Sequence, residues 1–416
     1  MIVDSSVYSG ACSCGRNHEM VTRAAIIEKD CLYHFDSYMK QYGIRGKRCA
    51  LYGENSYRAT EGKHPQVQQE IILSSEGLHA DEKSTAVVLE KLEPDVKVLI
   101  AVGSGTIHDI ARFCAHERGI RFVSVPTAAS VDGFCSTVAA MTWYGFKKTL
   151  TAVAPEIVVA DSNIIKNAPP ELVRSGVGDI MAKYTALADW EIAHVVTGEY
   201  LCPRIHTMMK EAADMVMTSV PGILAGETVA YETVTYALVM SGIAMQMMGN
   251  SRPASGADHH ISHMIEMGPK NFEVEFPALH GEKTGVGTVV AAREYYRMIQ
   301  KADISDCVVD YAPVSDEKFM DFFGPDLAEA IIKENEQDCL APVTPERLRE
   351  AWPEIRRIVS GIPTAERLYS ILQQLNAKRE LEDIGVSSQQ LPVLLEYSPL
   401  VRNRLTLMRM RRMIRC

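Results

Sequence analysis

Leu99-Ile-Ala-Val-Gly-Ser-Gly-Thr-Ile-His-Asp109 reads as a strand that ends in a Gly-x-Gly turn and opens a helix. Gly103 and Gly105 let the backbone turn tightly and approach a pyrophosphate, whose charge the N–H groups of a helix start would favour. The segment lacks the third glycine of the dinucleotide fingerprint, and a plain strand–helix turn explains it equally well. Its neighbours decide the fold. Arg48–Gly53, Glu70–Ser75 and Arg121–Pro126 are apolar runs of strand length, as is Val96–Gly103 itself. Helix-permissive stretches, Asp81–Leu92 and Ile107–Arg118, separate them, which is the pattern of a parallel sheet with crossover helices. A hairpin is expected from 147–153 and 157–160.

After Ala168-Pro169-Pro170 the texture changes. Leu172–Val196, Met208–Met217, Thr228–Met248, Gly285–Ala302 and Pro345–Ser360 are long, apolar-periodic and poor in strand signals. The expected fold is an N-terminal α/β Rossmann-like domain over 1–165, which would bind the nucleotide. An all-α domain over 166–416 would follow it and bind metal and substrate.

Composition narrows the class. A net charge of -10 over 416 residues gives nucleic-acid binding no electrostatic support. The N-terminus carries Asp4 and no apolar run after a basic start, so no secretory signal is read there. Val229–Gly249 contains Glu232 and several hydroxyls, the pattern of a buried helix rather than a stable membrane span. Ten cysteines without a disulfide-framework spacing point to thiols in a reducing cytoplasm. The long apolar helices make a homo-oligomer, dimer or larger, the expected state.

Three stretches carry ligand-type residues. Gly178-Asp179-Ile-Met-Ala-Lys183 reads as a helix start with Asp179 in its first turn. Gly256-Ala-Asp-His259-His260-Ile-Ser-His263 puts His259 and His263 one turn apart, and Leu279-His280-Gly-Glu-Lys283 adds a further histidine. Two imidazoles and a carboxylate leave an open coordination position, as a catalytic Lewis-acid metal requires. Upstream, Val125-Pro-Thr-Ala-Ala-Ser-Val-Asp-Gly-Phe-Cys-Ser136 supplies small residues and hydroxyls suited to a flat ring and a ribose. Asp132 within it also reads as a helix N-cap.

Together GSGTIHD (103–109), PTAASVDGFCS (126–136), SGVGDIMAK (175–183), SRPASGADHHISHMIEM (251–267) and HGEKTG (280–285) resemble, in order, the superfamily of metal-dependent polyol dehydrogenases and dehydroquinate synthases. Within it the resemblance is greatest to the glycerol-1-phosphate dehydrogenases. It implies a dehydroquinate synthase-like architecture and an NAD(H)- or NADP(H)-dependent reduction of dihydroxyacetone phosphate, a small phosphorylated triose. By resemblance, Gly103, Ser104, Gly105, Thr106 and Asp109 hold the cofactor phosphates. Thr127, Ala128, Ala129, Ser130 and Ser136 lie along its nicotinamide half. Asp132 binds substrate hydroxyls. Asp179, His259 and His280 bind one divalent metal, zinc or else nickel or iron, and Asp179 also touches substrate. His263 stands beside the substrate as a proton donor. His260, one position round the helix from His259, points about 100° away. Two departures are noted: Ser104 replaces a glycine, and His108 stands where an apolar or amide residue is expected. A glycerol dehydrogenase and a dehydroquinate synthase-like cyclase are the alternatives on the same scaffold, and a non-enzymatic nucleotide-binding regulator is the alternative of another class.

Arg252 and Lys283 are candidate partners for a substrate phosphate. Cys12-Ser-Cys14-Gly-Arg-Asn-His18 looks like a partial metal knuckle, with three ligand types at a cramped spacing and no second cysteine pair. An ordinary N-terminal loop is the plainer reading. The run Arg402–Cys416 holds six arginines and no acid, and reads as a helix docked on its own domain rather than on an anionic membrane.

Overall fold

The computed structural model describes residues 1–144 and 146–415, apart from the side chains of Phe146 and Lys147. The strands are β1 (Ile2–Asp4), β2 (Gly10–Ala11), β3 (Asn17–His18), β4 (Ala24–Glu28), β5 (Lys47–Gly53), β6 (Gln69–Leu73), β7 (Val96–Gly103), β8 (Arg121–Pro126), β9 (Val138–Trp143), β10 (Phe146–Thr151) and β11 (Ile157–Asp161). The helices through the motif region are α1 (Phe35–Gln41), α2 (Glu54–Ala59), α3 (Glu82–Lys91), α4 (Gly105–Arg118), α5 (Ser162–Lys166), α6 (Pro170–Met181), α7 (Lys183–Thr197), α8 (Pro203–Leu224), α9 (Thr228–Met248), α10 (Ala257–Met267) and α11 (His280–Ile299).

The chain divides into two compact units, one made of 1–180 and 214–250, the other of 181–213 and 251–416. Neither is a single stretch, whereas the sequence reading expected a break at 165. Residues 166–180 and 214–250 belong with the sheet because α6 and α9 close directly on the loops that follow β8. A methyl group added at Gly176 of α6 would overlap the Ala129 carbonyl, and α9 packs against the short turn Asp132–Cys135.

The first unit is built on a seven-stranded sheet in the order β1-β4-β11-β8-β7-β5-β6. All neighbours are parallel except β1, which runs antiparallel to β4. Apolar side chains on both faces of β7 are buried, Val98, Ile100 and Val102 in one core cluster and Leu99 and Ala101 in the other, as a central parallel strand demands. From β5 the chain steps outward to β6, then returns to β7 and proceeds through β8 to β11 on the other side. The direction of winding therefore reverses between β5 and β7. In open α/β sheets, ligands bind at such a switch point, outside the carboxyl ends of the strands. Gly103 ends β7 there.

Two local expectations are corrected. The strand at 147–153 pairs not with 157–160 but with β9, residue Thr151 opposite Val138. Ile157–Asp161 instead enters the main sheet parallel to β4 and β8, and all five of its residues are buried. The helix expected over Leu172–Val196 is two helices, α6 and α7, broken at Ala182. Asp179 consequently lies in the last turn of a helix, not the first.

The second unit is helical. A cluster of Ile261, Met264, Phe272, Val286, Phe319 and Phe322 is at the heart of its core. Its C-terminal run is docked, as expected, though only Leu407–Met410 of it is helical: Arg409 is fully buried and its Nη2 is 2.8 Å from Asp338 Oδ1, while Arg412 Nη1 is 2.6 Å from Asp338 Oδ2. Cys307 is disulfide-bonded, so the expectation of thiols throughout does not hold there. Among the described residues no helix is long and apolar enough to cross a membrane.

Candidate active site

In the first unit, β7 delivers the chain to Gly103 and α4 starts at Gly105. A methyl group at Gly103 would lie 2.7 Å from Ile107 Cβ, so only glycine lets the turn close on its own helix. Ser104 occupies the N-cap position without capping α4 through its side chain. The turn is fixed from below. Thr127 donates its N–H to the Gly103 carbonyl at 2.9 Å, joining it to the loop after β8.

His108, the departure noted from sequence, is a strut. Its Nδ1 lies 2.9 Å from the Ser104 carbonyl and its Nε2 2.7 Å from Ser124 Oγ. A carbonyl only accepts, so Nδ1 carries the hydrogen and Nε2 accepts from the serine. Burial and then the nearby Arg112 push its pKa down to about 3, which keeps it neutral.

Arg112 was not singled out in the sequence, yet it organises the loop. It is fully buried, and it donates through Nη1 to the Ser136 carbonyl at 2.9 Å and through Nη2 to that of Phe134 at 3.4 Å. Its Nε lies 3.7 Å from Asp109 Oδ1. Ala128, Ala129 and Ser130 are buried between this turn and α6, and Ser175 Oγ donates to the Ser130 carbonyl at 3.0 Å. Ser136 turns its hydroxyl to the Val138 carbonyl at 2.9 Å.

The loop that follows β8 is coupled to α6, which carries Asp179. Asp179, fully buried, accepts the Asp132 N–H through Oδ2 at 2.9 Å. The Asp132 carboxylate accepts from Ser241 Oγ of α9 at 2.7 Å. Asp132 is thus held side chain and main chain by two different helices.

In the second unit, three histidines converge. The rings of His259 and His280 are 5.4 Å apart, and that of His263 is 5.9 Å from the first and 6.1 Å from the second. Each of the two expected ligands has a carboxylate on its far nitrogen. His259 Nδ1 bonds Asp258 Oδ1, and His280 Nδ1 bonds Glu266 Oε1 at 2.9 Å. Metal-bound imidazoles are oriented in this way, and it leaves Nε2 of each ring for an ion. Burial would raise the Asp258 and Glu266 carboxyls, but the hydrogen bonds and charges of their histidine and lysine partners reverse this and hold both low. Asp258 is also anchored by Thr185 Oγ1 at 2.6 Å. The signal for these two carboxylates was in the sequence, beside His259 and one turn beyond His263, but nothing in it separated them from solvated acids.

His260 is buried with no hydrogen-bond partner for either ring nitrogen among the described residues, and burial drives its pKa well below the usual value. The two phosphate candidates are engaged within the protein. Arg252 contacts Glu199 at 2.8 Å and the Asp189 and Leu405 carbonyls, and Lys283 Nζ is 2.8 Å from Glu266.

Comparison with known proteins agrees with this layout. Residues 26–169 match the family model described as iron-containing alcohol dehydrogenase. A glycerol-1-phosphate dehydrogenase [NAD(P)+] of Geobacillus stearothermophilus is 37% identical over 310 residues, 74% of this chain and 70% of the relative. The chain belongs to the glycerol-1-phosphate dehydrogenase family. The enzyme of that name from Pyrococcus furiosus is 43% identical over 197 residues, covering 47% of this chain and 56% of its own. Solved structures share the fold at low identity. A probable glycerol dehydrogenase from Sinorhizobium meliloti 1021 gives a TM-score of 0.60 at 17% identity, over 92% of this chain and 90% of its own. A sulfoacetaldehyde reductase from Bifidobacterium kashiwanohense, solved in complex with NAD+, gives 0.59 at 13% identity over 94% of both chains.

Proposed function

We propose that this chain reduces dihydroxyacetone phosphate to sn-glycerol 1-phosphate with NADH or NADPH, using one divalent ion held by Asp179, His259 and His280. The observation that carries the reading is the pair of carboxylate-oriented imidazoles, His259 on Asp258 and His280 on Glu266, in a chain of this family. The donor set of two nitrogens and one carboxylate oxygen fits zinc, and also nickel or iron. When bound, the ion supplies Lewis acidity at the ketone oxygen and the nicotinamide supplies hydride.

The protein's own residues do the rest. The Gly103–Thr106 turn and the start of α4 hold the cofactor pyrophosphate at the switch point of the sheet, with Asp109 beside it. Thr127, Ser130 and Ser136 line the nicotinamide half. Asp132, braced by Ser241 and by Asp179, orients the substrate hydroxyls. His263 is half-buried, desolvation of its ring favours the neutral form, and it passes a proton toward the developing alkoxide, directly or through water. The enzyme is read as a cytoplasmic homo-oligomer.

The test is NADH oxidation by metal-loaded protein with dihydroxyacetone phosphate, beside dihydroxyacetone and a chelator-treated control. Metal-dependent turnover on the phosphate alone is expected. Turnover on the unphosphorylated ketone alone would make it a glycerol dehydrogenase, and silence on both would return the cyclase and regulator readings.

A further inference from the structure

Residues 10–18 form a small antiparallel ribbon that the catalytic reading does not use. Gly10 pairs with His18 and Ala11 with Asn17. The turn closes through Cys12 N–H to Arg16 O and Gly15 N–H to Cys12 O, both at 3.0 Å, with Gly15 at φ +86°. This brings a sulfur of Cys12, a sulfur of Cys14 and an imidazole nitrogen of His18 all within 4.8 Å of one another. His18 is buried, and its Nδ1 lies 2.7 Å from the Met247 carbonyl at the end of α9. Since a carbonyl only accepts, Nδ1 carries the hydrogen and Nε2 turns its lone pair toward the sulfurs. An outer-sphere carbonyl on the far nitrogen is the usual orientation of a metal-ligating histidine.

The spacing supports the same conclusion. Bond lengths of about 2.3 Å to sulfur and 2.0–2.1 Å to nitrogen in a tetrahedral site imply ligand-to-ligand edges of roughly 3.5–3.8 Å. Cys14 Sγ and His18 Nε2 are 3.5 Å apart. A simple thiol hydrogen bond would account for one sulfur at the single lone pair of Nε2, but the ribbon brings two.

We propose that Cys12, Cys14 and His18 bind a thiophilic divalent ion of the zinc class, separate from the catalytic one. Binding releases the two thiol protons to solvent and leaves both sulfurs as thiolates. The ion fastens the N-terminal ribbon to the C-terminal end of α9, so its role is structural.

Cobalt titration of the reduced, metal-stripped full chain tests this. Two equivalents are expected, one of them giving an intense thiolate-to-cobalt charge-transfer band. That band should persist in His280→Ala and vanish in Cys14→Ser. Amide exchange over residues 10–18 should slow on loading zinc, again independently of His280. Should Cys14→Ser fail to fold, Cys14→His keeps a ligand in place and should retain the second equivalent with a weaker band. A single equivalent without a thiolate band, or a band unchanged in Cys14→Ser, would overturn the proposal. Neither result depends on turnover, so the catalytic reading stands or falls separately.

Discussion

His263 sits one helical turn beyond His259 and presents its ring to both expected ligands without a carboxylate of the kind that orients them. Desolvation of its half-buried ring favours the neutral form, and Glu266, the strongest opposing charge, does not overcome it. On the proposed reading, a residue so placed would serve proton transfer rather than ion binding. His263→Ala should lower kcat by about 10²–10⁴-fold while the metal content of the purified protein stays at the wild-type level. Normal turnover in that variant would sink the role. Glu266 acts through its neighbour. Glu266→Gln keeps an acceptor for His280 Nδ1–H but removes the charge, and should weaken metal affinity by about 10–100-fold in a chelator competition. Unchanged affinity would mean that His280 does not ligate, or that Lys283 is the true partner of Glu266.

At the scale of elements, the site depends on helices pressed close to loops. Gly176 has the Ala129 carbonyl where a side chain would start. Gly176→Ala must therefore move main chain, at a cost of at least the 1–3 kcal/mol typical of overpacking. A fall in denaturant midpoint, with weaker nucleotide binding, is the expected reading. The sheet has its own clasp: Arg121 first, then Arg23, bond Glu156 and hold its carboxyl below the ordinary 4.5. A depressed folded pKa means that the unfolded chain binds the proton more readily at acid pH. The stability from this clasp is complete above about 4.5 and fades as pH falls through the lower folded value. The stability gap between wild type and Glu156→Gln should be larger at pH 7 than at pH 3, and equal gaps would contradict the assignment. Strands buried on both faces, such as β7 and β8, were plain in the sequence because their centres, Val98–Val102 and 122–126, are apolar but for Ser124. Ala24–Glu28 was not, since its two alanines dilute the strand signal, and Val138–Trp143 was hidden by the same small residues. The break at Ala182 carries no sequence signal because apolar periodicity continues across it. The ligand types were legible from spacing and resemblance together. Arg112, Ser241, Asp258 and Glu266 were not, because their roles arise only from the folded contacts.

For the whole molecule, the C-terminal arginines are fastened to acids rather than left on the surface. Asp338 takes both Arg409 and Arg412 with little exposure of its own. Asp338→Asn should destabilise the second unit by about 3–5 kcal/mol, because it strands a buried guanidinium. Calorimetry that found no change would show the pair to be dispensable. The first unit raises a different matter. Its sheet begins near residue 2, yet Thr22 meets Gln246 and His18 meets Met247, separations of 224 and 229 residues. During synthesis on the ribosome, the sheet strands up to residue 161 emerge long before α9 exists to cover the loops beside them. The nascent chain must therefore carry an unfinished first unit until roughly residue 250 has cleared the exit tunnel, and a truncation at 165 would leave it in that state permanently.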